Sequence, residues 1–198
     1  MESIYNLDFQ NSSLDNKIVI GFDRISQVFK TLLIDESKQY NLSPIQIQIL
    51  IFINYHSENK STISYLSKEF NLSKPTVSET IKTLEKKQYI TKITDKVDTR
   101  SYFITLTDLG KKIVQHTKQY ANPLVNIISN ITDANKIMLW QNITAIIKEL
   151  NDVDLINPHR TCTNCRFYSK NKNSSFCKLL NQELKIEDIR IDCLEFEQ

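Results

Sequence analysis

Four cysteines lie close together in an otherwise cysteine-free chain of 198 residues: Cys162, Cys165, Cys177 and Cys193. Thiolates are soft ligands, and a two-residue gap such as Cys162-x-x-Cys165 lets both sulfurs reach one centre. Four of them complete a tetrahedral zinc shell or the corners of an iron–sulfur cluster. Structural zinc sites often use two such pairs with glycine in the turns. This segment has a single pair, no glycine, and Cys177 and Cys193 standing alone. That pattern departs from the usual zinc one. Spacing alone leaves the choice open. The bland reading is four unrelated buried thiols, and a third is cysteine pairs that form transient disulfides. His159 is close enough in sequence to be a ligand, but four sulfurs suffice.

The segment "CTNCRFY…FCKLL…DCLEFE" resembles small aromatic-flanked cysteine motifs that hold iron–sulfur clusters in anaerobe-type proteins. Together with that resemblance, the expected centre is an iron–sulfur cluster of the four-iron kind, with zinc as the alternative. It is too short to fold on a hydrophobic core of its own. Its apolar residues, among them Phe167, Phe176, Leu184 and Ile191, could wrap a metal centre that supplies the folding energy.

What precedes the cysteines must explain why they are there. Residues 15–40 repeat apolar side chains at steps of three and four (Ile18, Phe22, Ile25, Phe29, Leu32), the pattern of a long amphipathic helix. Ser43 and Pro44 then open a second helix, which is apolar on most sides. A short helix ends near Phe70, with Asn71 suited to a left-handed stop. Ser73 caps a third, with Pro75 in its first turn. Val77, Ile81 and Leu84 give that helix one narrow apolar face and leave small polar and basic groups outside. Two helices across a tight turn predict a helix-turn-helix.

The period then changes to two. "YITKITDKVDTRSYFITLT" predicts two strands joined by the polar turn "DKVDTR". Thr107 caps a long helix with a bend at Pro123, and a last helix carries Ile143, Ile147 and Leu150. The expected fold is mainly α with a small β-hairpin wing. Residues 1–150 are expected to form the helical body, 151–160 a linker, and 161–198 the four-cysteine segment.

This order of elements resembles the MarR family of winged-helix bacterial regulators. The best-matching pieces are "LSKPTVSETIKTLEKKQYI", residues 72–90, and "DTRSYFITLTDLG", residues 98–110. The second carries Asp-x-Arg, a strand and Leu-Thr-x-x-Gly, filled by Asp98, Arg100, Leu106, Thr107 and Gly110. Gln88 stands where the family often has Gly, and Lys92 where it often has Arg. The resemblance covers residues 15–150 and not the tail. It implies a homodimer, joined through the first and the two closing helices, that reads a palindromic operator on double-stranded DNA. It also implies repression as the usual mode, an ion pair in which Asp98 orients Arg100, and a small-molecule effector as a further partner.

The chemistry agrees independently. Ser73, Lys74, Thr76, Ser78 and Lys82 offer donors to the major groove, and Arg100 at the wing tip suits the narrow minor groove. Lys86, Lys87, Lys92, Lys96 and Lys111 are expected to meet phosphates. For Lys74 and Lys82, solvent or phosphate contact is the plainer role. Thr76 and Ser78 can equally be first-turn capping residues.

Net charge is only +2, yet residues 60–118 carry twelve Lys and Arg against six Asp and Glu, a basic centre suited to an anionic partner. Two glycines argue against a glycine-rich phosphate loop. Three scattered histidines and no nucleophile–base pattern give no basis for an enzyme. No apolar run reaches the ~20 residues of a membrane span, and the polar opening "MESIYNLDF" is unlike a secretory signal, so a cytoplasmic location is expected. His56 and His116 read as ordinary helical residues. The competing class is an iron–sulfur electron-transfer protein on a helical scaffold. It leaves the wing motif and the basic centre unexplained.

Overall fold

The computed structural model describes residues 2–94, 102–156, 160–171 and 174–197. The protein is mainly α with a small β-hairpin wing and a cysteine-rich tail. A short α1 (Leu7–Asn11) precedes the long α2 (Leu14–Gln39). Then come α3 (Pro44–Tyr55), α4 (Ile63–Glu69), α5 (Lys74–Lys86), the antiparallel strands β1 (Ile90–Thr94) and β2 (Tyr102–Leu106), and α6 (Asp108–Thr117). Helices α7 (Asn122–Ser129) and α8 (Asp133–Asp152) close the body. The tail holds β3 (Tyr168–Lys170), β4 (Ser175–Cys177) and β5 (Gln182–Leu184) in one antiparallel sheet. Among the described residues no helix is long and apolar enough to cross a membrane.

Helix starts follow their caps. Ser43 and Gln46 form a reciprocal capping box on α3, and the Ser73 hydroxyl accepts the Thr76 N–H at the start of α5. Asn71 has φ 49°, the expected left-handed stop between α4 and α5. The one long helix expected after Thr107 is instead two. Pro123 lacks an N–H and crowds the turn before it, so α6 ends at Thr117 and α7 begins at Asn122. The short α1 and the tail sheet carried too little periodicity to be read from sequence.

The core lies where α3, α4, α5, α6 and the hairpin meet. Ile47, Leu50, Leu66, Val77, Ile81, Leu84, Ile104 and Val114 are all but inaccessible. Helix α2 contributes Leu33 to it. The rest of its apolar stripe, Ile18, Phe22, Ile25 and Phe29, stays 42–50% exposed. Val125 and Ile127 on α7 and Met138 on α8 are about 60% exposed (61%, 63% and 60%). Among the described residues these side chains remain largely open to solvent.

Candidate nucleic-acid interface and cysteine cavity

Helix α5 buries only Val77, Ile81 and Leu84. Ser73, Lys74, Thr76 and Lys82 are exposed, and Ser78 is half-buried. Several hydroxyls already have work. Ser73 Oγ lies 2.7 Å from Thr76 Oγ1, and Thr80 and Thr83 donate to carbonyls one turn back, of Thr76 and Glu79. Lys82 lies 3.5 Å from Glu79 on the exposed face.

The two lysines next to this helix are less free than their charge implies. Lys92 Nζ sits 2.6 Å from Glu85 Oε2 and over the Tyr102 ring, tying the hairpin to α5. Lys87 donates to the Asn41 carbonyl at the end of α2. Lys86 is exposed, and Lys111 makes only a loose exposed pair with Asp108. Asp98, Arg100 and Lys96 lie outside the described residues, as does His159.

The Leu106-Thr107-x-x-Gly110 motif has a clear purpose. Thr107 Oγ1 donates to the Gln88 carbonyl at 2.6 Å and accepts the Gly110 N–H at 3.1 Å. The Thr107 N–H bonds the Tyr89 carbonyl at 3.1 Å. The motif therefore clamps the end of α5 to the start of α6. Gln88 leaves α5 with φ 59°, the conformation glycine takes at low cost.

The four cysteines, all reduced, line one small apolar cavity together with Phe167, Leu179, Leu180 and Leu184. Its free volume is about 30 Å³. Backbone pairing assembles it. The Cys162 N–H bonds Arg190 O at 2.9 Å and the Cys193 N–H bonds Arg160 O at 3.1 Å, so the first and last cysteine strands lie side by side. Cys177 ends β4 opposite Tyr168. The Arg190 N–H points at Cys162 Sγ (3.2 Å), and its guanidinium lies 3.9 Å from Cys193 Sγ. Burial pushes the Cys162 thiol up, against the lowering effect of that N–H. Among the described residues no three ligand-type side chains are grouped closely enough to hold a single metal ion.

The tail is bolted to the helix-turn-helix by Arg160, which is only 5% exposed. Its Nε and Nη2 reach Asp192 at 2.6 and 3.0 Å, its Nη1 and Nη2 reach Glu69 at 2.5 and 3.1 Å, and Nη1 also donates to Tyr65 OH at 2.9 Å. All five donors of the guanidinium find acceptors. The group lies over the Phe52 and Tyr65 rings. Burial opposes the charge on Asp192, but bonds from His56 and Arg160 outweigh it and hold the carboxyl well below the usual range. His56 is thus not the ordinary residue it seemed in sequence. It stacks on Phe52 at 3.8 Å, with Nδ1 2.9 Å from Phe52 O and Nε2 3.2 Å from Asp192. No sequence motif marks Arg160 or His56, because their partners are 91 and 136 residues away.

Two further hollows adjoin these sites. A crevice of about 340 Å³ is lined by Phe29, Leu33, Pro44, Gln48 and Tyr120. A groove separates α8, at Thr144 and Lys148, from tail residues Tyr168, Leu184 and Ile189.

Residues 40–101 match the family model described as MarR family. No curated protein matches the chain. Among solved structures, a Staphylococcus aureus MepR–DNA complex is 25% identical, covering 67% of this chain and 97% of that one, with a TM-score of 0.58. Another, of MepR as a transcription regulator of the S. aureus multidrug efflux pump MepA, is 24% identical. It covers 65% of this chain and 95% of that one, with a TM-score of 0.51. Both likenesses leave about a third of this chain unmatched.

Proposed function

We propose that this chain is a cytoplasmic, non-enzymatic MarR-type transcription regulator, a repressor that binds a palindromic operator as a homodimer. The observation that carries this reading is α5, a capped helix with a narrow buried stripe and an outward face of Lys74, Thr76 and Lys82, clamped to a hairpin. A segment matching the MarR family and a similar fold in a protein solved on DNA support it. The exposed apolar faces of α2, α7 and α8 are what a two-fold partner would cover. That pairing sets two α5 helices about one DNA turn apart, ~34 Å. By the family resemblance, Arg100 would be the residue that reads the minor groove, with Asp98 as its proposed ion-pair partner. The crevice at Phe29 and Tyr120 is the place for an apolar effector.

In the same reading residues 1–150 are the DNA-binding and dimerisation body, 151–160 the linker, and 161–198 a site for an iron–sulfur cluster. Cys162, Cys165, Cys177 and Cys193 would hold it. Four thiols lining one cavity are the observation behind a thiolate-bound centre there, read as a four-iron cluster with zinc as the alternative. Apolar walls and the N–H donors of Arg190 suit a charged sulfur centre. Bound there, a cluster would respond to oxygen, redox state or iron supply.

Mobility-shift titration against the chain's own upstream DNA at two salt concentrations tests the first part. Tight binding that weakens steeply with salt is expected. A protein that ignores DNA at low salt would end this reading. Oxygen-free purification with metal, sulfide and visible-spectrum analysis tests the second. Colourless protein with one equivalent of zinc would exclude the cluster.

A further inference from the structure

The tail touches both moving parts that a winged-helix dimer needs. On one side the turn Ile186–Asp188 contacts α8, beside the groove that Leu184 and Ile189 line opposite Thr144 and Lys148. On the other side Arg160 grips Glu69, the last residue of α4, four residues before the Ser73 cap of α5. Between them lies the cysteine cavity.

Resting on the regulator and cluster readings above, we infer that Arg160 is the positioning residue through which the state of the four-cysteine cavity reaches the DNA-reading helix. The path is short. Cys193 follows Asp192 directly, and the Cys193 N–H is hydrogen-bonded to the Arg160 carbonyl. Asp192 holds Arg160 through two bonds, and Arg160 holds Glu69 through two more. A cavity of about 30 Å³ has room for little more than a water molecule. Seating a cluster core would require the cavity walls to spread, and a single zinc ion would require the thiols to draw together; either would move the segment that carries Cys193.

Asp192 is open to solvent on one side (46%), so the confined element of the path is Arg160 itself. Arg160 is only 5% exposed, has no spare donor, and lies between aromatic faces. Close-packed junctions of this kind transmit displacement as a switch between arrangements rather than absorb it. The far end is the α4–α5 turn. There Phe70 packs edge-on against Phe52 at 5.8 Å, and Asn71 is held in the left-handed region. Moving Glu69 therefore tilts α5 relative to α8, the helix expected to join the two copies.

The test compares the full-length protein loaded under argon with ferrous iron and sulfide against the same protein stripped with ferricyanide and EDTA. DNA affinity is measured on the chain's own upstream fragment, and iron content and melting temperature are followed alongside. Wild type should change affinity at least about fivefold between the two states, the lower end of ordinary coupling. Arg160→Gln should keep its iron and its DNA binding, yet bring the two affinities within about twofold of each other. Glu69→Gln, which leaves the cavity side of the path intact, should do the same. Arg160→Lys should restore part of the difference, and Lys170→Ala, outside the path, should keep all of it. A merely structural Arg160 would lower the melting temperature without altering that ratio. Variants that keep the wild-type ratio overturn the inference, as does a wild type that loads iron but binds DNA equally in both states. Protein that takes up neither iron nor zinc defeats the cluster reading first. Protein that never binds DNA defeats the regulator reading first.

Discussion

A Cβ added to Gly110 would stand 1.9 Å from the backbone oxygen of Tyr89, closer than any real contact allows. The carbonyl belongs to the turn that leaves α5, and the glycine to the first turn of α6. Gly110→Ala must therefore push the end of α5 and the start of α6 apart. Overpacking of this kind costs about 1–3 kcal/mol in a core, and here backbone has to move. The variant should lose about 3 kcal/mol in urea unfolding and bind DNA poorly.

Gln88 should respond in the opposite direction. A side chain in the left-handed region costs about 1–2 kcal/mol, whereas adding a glycine costs about 0.4–1 kcal/mol through the unfolded chain. The first is larger. Gln88→Gly should raise stability by roughly 0.5–1 kcal/mol in chemical denaturation, with DNA affinity unchanged.

Lys74 is exposed and Lys82 has only the exposed Glu79 beside it, whereas Lys92 is engaged with Glu85. Lys74→Ala should weaken binding to all DNA sequences and reduce the salt slope by about one unit. Lys92→Ala should instead cost stability, by about 1 kcal/mol, because it unties the hairpin from α5. Salt titrations and melting curves on both variants separate the two roles.

Ile127 is 63% exposed on α7 and takes no part in the core. Ile127→Lys should leave the circular dichroism spectrum intact while shifting the sedimentation coefficient from dimer to monomer. A monomeric wild type would exclude the paired arrangement altogether.

Under the proposed metal-bound tail, chelation should loosen the tail more than the body. The three strands there are three residues each, and its buried apolar residues are few. After chelation, trypsin should cut within residues 160–198 well before it cuts α3 to α6. Cys177→Ser should show the same pattern and bind less iron. Equal cleavage rates with and without metal would mean that the tail folds without it.

Much of the body could be read from sequence because its signals are local. Ser43, Ser73 and Thr107 announced three helix starts, and Asn71 one stop, since a cap depends on neighbours three or four residues away. The exposed face of α5 was legible for the same reason, as periodicity alone sorts Val77 and Ile81 from Lys74 and Lys82. The break between α6 and α7 was softened to a bend, because Pro123 marks a disruption without setting its size. Lys92 was assigned to phosphate on charge, but its position between Glu85 and Tyr102 depends on how the hairpin lies against α5. The Arg160 junction was invisible for a stronger reason. A lone arginine in a linker looks like solvent-facing charge until the fold brings Tyr65, Glu69 and Asp192 around it.

Helices that leave greasy surface open to water in a solitary copy have one more consequence. Under the proposed pairing, folding and association are linked by mass action, so melting temperature should climb with protein concentration. In the proposed dimer the chain would set its own threshold, with the folded population rising steeply once the concentration supports pairing.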